Sequence, residues 1–192
     1  MNKKLYISIS LFFFILLSCT NNSGKIDKQL AFNSFMYKFK PIDLPLLLML
    51  EDNQLLKNSQ AINPNSNDTM FIQPIGNCRA YGYLRDTSRY YALVYVIIGD
   101  EPNFKIVTFD KSFNKIAESS LMNSDGCVQG TLCLKCNTSI EFLNNSTIKT
   151  IDSLNYLDCD SDGNSTDSIV QRKRLELTIH IDNKGYVKIS KE

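Results

Sequence analysis

The segment Asp158–Asn164 has the composition of a loop that begins a calcium site. Its carboxylates alternate and precede a glycine: Asp158, Asp160, Asp162 and Gly163. Alternate side chains converge on one cation, and glycine allows the sharp turn that this requires. An EF-hand loop would continue with an aliphatic residue and a glutamate where this chain has Ser165 and Ile169. The segment therefore predicts either a calcium site outside the EF-hand class or a polar hairpin loop.

His180 is the single histidine of the sequence. A Ser-His-Asp hydrolase needs a histidine as its base, but the alternation along residues 172–182 places His180 on the solvent side of a strand. The sequence has no Gly-x-Ser-x-Gly motif, and it has no Trp, the commonest platform for stacking on sugars. Paired carboxylates for glycoside hydrolysis are set by spacing in three dimensions, so that alternative stays open.

Arginine and tyrosine alternate along one predicted strand. The alternating side chains are Arg79, Tyr81, Tyr83 and Arg85, with Ala80, Gly82 and Leu84 between them. Because successive side chains of a strand point to opposite faces, the first set is expected to share one face. Tyrosine packing across strands with solvated arginines is the first interpretation. The second is a binding patch, since aromatic residues interleaved with arginine are typical of recognition surfaces.

Residues 1–18 have the three parts of a secretory signal. Two lysines come first, an apolar stretch fills residues 5–17, and the small Ser18 precedes Cys19. The stretch is short for a transmembrane helix, which needs about 20 residues. We therefore expect a signal peptide over residues 1–18, with a short signal-anchor helix as the alternative.

The end of this signal resembles the lipobox of bacterial lipoproteins. Leu16, Ser18 and Cys19 fit that pattern, and Leu17 is bulkier than the residue usual at its position. The resemblance implies cleavage before Cys19, a diacylglycerol on its sulfur and an acyl chain such as palmitate on its amine. Two or three chains anchor a protein stably where one does not. The resemblance also implies a location: enteric lipoproteins that lack an aspartate directly after this cysteine are sorted to the outer membrane, and this chain has Thr20 there.

Five further cysteines could do sulfur chemistry: Cys78, Cys127, Cys133, Cys136 and Cys159. Export permits disulfides, and an odd number leaves at least one thiol over or none of them paired. Cys133 and Cys136 form a Cys-x-x-Cys, but a strand pattern follows them in place of the helix start that lowers a redox thiol's pKa. We expect structural disulfides first. A zinc site made of Cys127, Cys133, Cys136 and Cys159 comes second, and redox catalysis third.

Composition limits the partners. The chain has 192 residues with 21 Lys+Arg and 20 Asp+Glu, and removal of residues 1–18 takes away two lysines, which leaves 19 against 20. Because there is no basic excess to bind phosphates, we expect no nucleic-acid partner. A chain of this length buries one good core, so we expect a single domain over residues 29–192 after a polar tether at residues 19–28.

An N-terminal helix is predicted over residues 28–40. Apolar side chains recur there at helical spacing: Phe32, Phe35, Met36 and Phe39. They form one stripe, and Pro41 is expected to end the helix because the residue before a proline avoids the helical region. Residues 44–50 are apolar and fit either a strand or a helix, whereas residues 58–69 have the composition of a loop.

From Met70 onward the pattern predicts strands. Ser88–Ile98 is apolar on both faces, as in a covered central strand, and residues 104–121 predict a hairpin. Apolar and polar residues alternate along Arg172–Asp182, and residues 182–185 predict a turn into a last strand. The predicted fold class is mainly β. It is an antiparallel sheet or sandwich of about seven to ten strands with a short N-terminal helix.

A second resemblance concerns the middle of the chain. Residues 90–95, 106–111 and 115–119, together with Phe35–Pro45, look like a group of uncharacterised lipoproteins from Bacteroides-type bacteria. The shared motifs are strands and turns. The resemblance implies an envelope location and a β architecture, and it carries no activity across.

Together these patterns predict a lipid-anchored protein of the cell envelope that binds or scaffolds an envelope protein or a glycan without catalysis. The strand-dominated pattern, the single histidine and the lack of a catalytic motif favour this interpretation. The alternatives are an envelope hydrolase with an unrecognised carboxylate site and a module stabilised by calcium. We expect no cofactor, with calcium at Asp158, Asp160 and Asp162 as the alternative.

Overall fold

The structure is a computed structural model that describes residues 20–50, 56–57, 59–73, 76–99, 102–123, 134–159 and 165–191. Within these residues the chain forms one α-helix, α1 (Thr20–Met36), a 3-10 turn (Asn67–Met70) and eleven strands. The strands are β1 (Lys40–Ile42), β2 (Leu46–Met49), β3 (Gln60–Ile62), β4 (Asn77–Leu84), β5 (Tyr91–Ile98), β6 (Asn103–Phe109), β7 (Lys115–Ser120), β8 (Leu134–Asn144), β9 (Thr147–Cys159), β10 (Ser165–Ile181) and β11 (Val187–Lys191).

The chain divides into two compact units, residues 1–37 and residues 38–192. In the first unit, the rings of Phe32 and Phe35 are buried, with centroids 6.3 Å apart. The predicted helix is confirmed, but α1 begins at Thr20, inside the segment expected to be a tether, and it ends before Phe39. Among the described residues, no helix has both the length and the apolar character needed to cross a membrane.

The helix ends early because the next residues form a strand. Lys40–Ile42 pairs in parallel with residues 82–84 of β4. Pro41 was expected to end the helix, but it lies inside this short edge strand. A proline is tolerated there because an edge strand has backbone positions whose N–H groups need no ladder partner.

The second unit contains two sheets. One is a six-stranded sheet in the order β1-β4-β5-β6-β7, with β3 also paired to β4, and the other is a five-stranded sheet in the order β11-β10-β9-β8-β2. Among the described strands, β1 and β4 form the single parallel pair. The predicted mainly β, antiparallel class is confirmed. The eleven strands exceed the seven to ten that were predicted. The additional strands β1, β2 and β3 lie in segments whose sequence pattern was helical, ambiguous or loop-like.

The main core lies between the two sheets. The six-stranded sheet contributes Leu84, Ala92, Val94, Val96, Phe104 and Ile106, and the five-stranded sheet contributes Ile140, Phe142, Ile148, Leu177, Ile179 and Ile181. Residues 92–96 of β5 are all buried, which confirms the predicted covered strand. On the other face of the six-stranded sheet, Phe71 meets Phe109 edge-on with centroids 6.1 Å apart.

Both predicted late turns are confirmed, and an aspartate holds each one. Asp110 Oδ1 accepts the N–H groups of Ser112 (2.8 Å) and Asn114 (2.9 Å) between β6 and β7. Between β10 and β11, Asp182 Oδ1 accepts the N–H groups of Lys184 (2.9 Å) and Tyr186 (3.0 Å). Aspartate favours such turns because its short side chain bonds to backbone N–H groups a few residues further on.

Candidate functional site

A cleft opens at the edge of β4 where two short strands meet. β3 pairs with the first part of β4, up to Gln60 opposite Ala80, and β1 pairs with the second part, from Lys40 opposite Gly82. Tyr81 is the residue between these paired segments. It is also the extra residue of a β-bulge, because Ala80 and Gly82 stand opposite consecutive residues of β5.

The cleft has a volume of about 280 Å³. Its lining combines charged, polar and apolar side chains: Lys40, Ile42, Asp43, Leu46, Ser59 and Tyr81. A cleft below about 300 Å³ is smaller than most drug-binding pockets, so it suits a small molecule or the end of a larger chain.

Tyr81 forms part of the cleft wall and also packs against the inter-sheet core. Its ring meets Phe104 edge-on, with centroids 5.4 Å apart and planes at 78°. Burial raises the pKa of the Tyr81 hydroxyl, so the group stays protonated at neutral pH and can donate a hydrogen bond. The position therefore offers both an aromatic surface and a polar end.

Gly82 allows β1 to lie close enough to form the cleft. A Cβ at this position would lie 2.6 Å from Ile42 Cγ1 and 2.9 Å from the backbone oxygen of Lys40. Both separations are shorter than a van der Waals contact, so a larger residue would displace β1. The glycine thus places Lys40 beside the cleft.

The two arginines of the predicted patch contact residues of the cleft. Arg79 Nη1 donates to the backbone oxygen of Ser59 at 3.1 Å, and Arg85 forms an ion pair with Asp43. Arg79 Nε is buried without a hydrogen-bond partner among the described residues. Arg79, within β4, and Arg85, the residue that follows it, therefore each contact a residue of the cleft lining.

The expectation that the four patch side chains share one face is wrong. Tyr81 packs towards the core between the sheets, whereas Tyr83 stands opposite Leu93, on the other face of the six-stranded sheet. The bulge at Tyr81 shifts the alternation by one residue, so the second half of β4 is inverted relative to the first. The glycine at position 82 was the sequence signal for this bulge, because glycine inside a strand pattern often marks one.

A second cleft, of about 410 Å³, lies at the turns that join the strands. Its lining includes Asp86, Ser88, Tyr90, Asn145, His180 and Asp182. His180 is exposed, as the alternation of β10 predicted. The cleft thus brings the histidine near two carboxylates and a serine, residue types that the sequence separates widely.

The hydrogen bonds in this second cleft are those of turns. Ser88 Oγ donates to Asp86 Oδ1 at 2.6 Å, and the Ser88 N–H donates to the same oxygen at 3.0 Å. These bonds lower the pKa of Asp86. For Asp182, partial burial acts to raise the pKa, but bonds from two backbone N–H groups and the charge of Lys188 lower it overall. Because Ser88 donates to Asp86 and not to His180, the group is not a Ser-His-Asp relay.

Two carboxylates are buried among the described residues, Asp152 and Asp68. Thr138 Oγ1 donates to Asp152 Oδ1 at 2.6 Å, and burial raises the pKa of Asp152. Asp68 forms an ion pair with Lys38 and accepts the Asn63 N–H at 2.9 Å. Each therefore has its own structural partner, and neither lines the two clefts described above.

The cysteines of the described residues differ in state. Cys136 and Cys159 are disulfide-bonded, and Cys78 is a buried thiol. Cys136 stands opposite Leu154, five residues before Cys159, so the two are about 16 Å apart along the strand. A disulfide needs Cα atoms within about 7 Å, so Cys136 and Cys159 belong to separate bridges.

Three cysteines, Cys19, Cys127 and Cys133, lie outside the described residues. A zinc site would need thiolates, and the disulfide sulfurs of Cys136 and Cys159 are not thiolates. The lipid-anchor prediction rests on Cys19, so it stays a prediction.

The calcium prediction also stays a prediction. Asp158 is exposed at the end of β9, and Asp160 and Asp162 lie outside the described residues. In the part of the chain that the structure describes, no three or more His, Cys, Asp or Glu side chains are grouped to hold a metal ion. A melting midpoint that is the same in millimolar calcium and in chelator would rule out a stabilising site.

Comparison with protein-family models, with curated proteins and with solved structures finds no match to the chain.

Proposed function

We propose that the protein is a lipid-anchored, non-catalytic binding module of the bacterial cell envelope, with the cleft at Tyr81 as its binding site. The observation that supports binding is that Tyr81 and Lys40 line this cleft while Arg79 and Arg85 contact two further lining residues, Ser59 and Asp43. Aromatic and arginine side chains contribute most to recognition surfaces, because they bury large areas and form several hydrogen bonds. The Lipobox-like residues before Cys19 support the anchor.

A hydrolase is less well supported than a binding module. In the second cleft, Asp86 and Asp182 hold turns, and their hydrogen bonds keep them ionised. A glycosidase needs one of its carboxyl groups protonated as a general acid, with a raised pKa. Among the carboxylates of the described residues, a raised pKa occurs at Asp152, whose partner is a threonine hydroxyl and not a second carboxylate.

The binding role is tested by two tyrosine variants on the same strand. We expect Tyr81→Ala to lose a partner captured by crosslinking in intact cells, because Tyr81 forms the cleft wall. Tyr83→Ala is the matched control, since Tyr83 lies on the opposite face of the sheet. The measurement is quantitative mass spectrometry of crosslinked material, with melting curves to establish that both variants fold.

Equal recovery of the partner with Tyr81→Ala and with the native protein would contradict a binding role for this cleft. Loss of the partner with both variants would show that the strand as a whole, and not the cleft, supports the interaction. That second outcome would also overturn the assignment of the site.

A further inference from the structure

Two cations beside the Tyr81 cleft have no carboxylate partner among the described residues. Lys40 lines the cleft, and Arg79 bonds to Ser59, another lining residue. Neither Lys40 nor Arg79 takes part in an ion pair with a described residue. Asp43, the acidic residue of the lining, is paired with Arg85. Among the described residues that line the cleft or contact its lining, the positive side chains of Lys40, Arg79 and Arg85 therefore stand against the one carboxylate of Asp43.

Arg79 adds a second indication of an anionic ligand. Its Nη1 donates to the backbone oxygen of Ser59 at 3.1 Å, which places the guanidinium group next to the lining, although Arg79 does not itself line the cleft. Guanidinium groups are well suited to carboxylates and phosphates because they offer parallel N–H donors.

The rest of the lining is suited to an apolar or ring-shaped body. Ile42 and Leu46 contribute aliphatic surface, and Tyr81 contributes part of its ring together with a protonated hydroxyl. The volume of about 280 Å³ limits the bound part to a small group. A small cleft lined by a cation and by apolar side chains matches an amphipathic anion.

We propose that this cleft binds a small organic anion, a carboxylate or phosphate carried on an apolar or ring-shaped body. Lys40 and Arg79 bind the anionic group, while Tyr81 and Ile42 pack against the body. This proposal rests on the proposed binding function of the cleft and adds the chemical class of the ligand. A terminal carboxylate and a phosphate ester both offer negatively charged oxygens to Lys40 and Arg79, so the probes are chosen to distinguish the two groups.

The test uses ligand-observed saturation-transfer NMR on the mature lipidated protein, residues 19–192, in detergent. The probes are benzoate, phenyl phosphate and the neutral benzyl alcohol. We expect at least one of the two anions to bind and the alcohol to bind much more weakly, because the alcohol offers no charge to Lys40 and Arg79. Binding of benzoate alone would identify a carboxylate site, and binding of phenyl phosphate alone a phosphate site.

Three variants assign the binding to the cations. We expect Arg79→Gln to weaken anion binding about tenfold, since hydrogen bonds to charged groups are the stronger ones. Lys40→Gln is expected to weaken it about threefold, because Lys40 is exposed and its charge is screened by solvent. Lys188→Gln, which removes an exposed lysine on β11, is the control and should leave the affinity unchanged. Lys40→Gln also serves as the informative variant if Arg79→Gln fails to fold.

Several results would overturn this proposal. They are absence of binding by both anions, equal binding of the alcohol, and an affinity that neither cation variant changes. If the anions fail to bind while Tyr81→Ala still loses its crosslinked partner, the ligand class is wrong and the binding function stands. If Tyr81→Ala keeps its partner, the binding function of the cleft fails separately.

Discussion

Asp152 is one of the two carboxylates that are buried among the described residues. It is 1% exposed in the middle of β9, where its side chain faces inward between Thr150 and Leu154 in the alternation of the strand. Thr138 stands directly opposite on β8 and donates a hydrogen bond to Asp152 Oδ1. Burial penalises the charged form of the carboxyl and raises its pKa.

We expect Asp152→Asn to stabilise the protein at pH 7. Since the pKa of Asp152 is raised above its usual 3.8 in the folded state, the folded protein binds the proton more tightly than the unfolded chain. Stability is therefore lost as pH rises from about 4 through the folded-state pKa. Asparagine keeps an acceptor for Thr138 and has no charge to bury.

The measurement is the melting midpoint of both proteins between pH 4 and pH 7. The midpoint of the variant should exceed that of the native protein at pH 7, and the difference should narrow towards pH 4. A difference that stays constant with pH would show that the carboxyl does not titrate differently in the two states.

At the scale of elements, the join between β1 and β4 decides the geometry of the cleft. The two strands are parallel and approach closely at Gly82, where a Cβ would meet both Ile42 and the backbone of Lys40. The bulge at Tyr81 lies directly before this join. Bulges bend a strand and re-aim its side chains, and here the result is a tyrosine turned into the cleft.

We expect Gly82→Ala to destabilise the protein by about 1–3 kcal/mol, the usual cost of forcing a methyl group into a packed site. The nearest atoms are Ile42 Cγ1 at 2.6 Å and Lys40 O at 2.9 Å, and the backbone oxygen cannot rotate away. The measurement is the free energy of unfolding by urea denaturation.

The Ile42→Ala change provides the matching control. In the double variant, loss of the Ile42 side chain relieves part of the clash, so its destabilisation should be smaller than the sum of the two single losses. Strict additivity would show that the methyl group at position 82 does not press on Ile42.

For the whole molecule, two kinds of contact hold the sheets of residues 38–192 together. The apolar residues of both sheets form one cluster. Hydroxyl groups also bridge the sheets: Thr108 Oγ1 donates to the backbone oxygen of Gly185 at 2.7 Å, and Thr150 Oγ1 donates to that of Leu121. These bridges satisfy buried polar groups that would otherwise be costly, so the polar residues do not weaken the core.

We expect Cys19→Ala to abolish labelling by palmitate and to release the protein from the membrane fraction. Each buried methylene contributes about 0.8 kcal/mol to membrane binding, so removal of two or three acyl chains eliminates the anchor. Cys78→Ala is the matched control, because Cys78 is a buried thiol far along the chain from the lipobox-like residues. It should keep both the label and the membrane location. A Cys19→Ala protein that stays labelled and membrane-bound would refute the anchor.

The features that the sequence determined by itself depend on residues close together in the chain. The covered strand β5, the β6–β7 hairpin and the turn after β10 were all predictable, because hydrophobic alternation and aspartate-held turns are local properties. The candidate anchor at Cys19 is likewise a local pattern. Of the candidate site, the alternation around Tyr81 named Arg79, Tyr81 and Arg85.

Only the tertiary structure decided how those residues are arranged. The pairing of Lys40 with Gly82, the contact of Arg85 with Asp43 and the bond from Thr138 to Asp152 each join positions that local periodicity cannot relate. Lys40 was expected at the end of the helix but lies in β1, because pairing with β4 outweighs the weak helical preference of a short segment. The bulge inverted half of β4 because one extra residue shifts every following side chain to the other face, and the position of that residue is fixed by the pairing with β5.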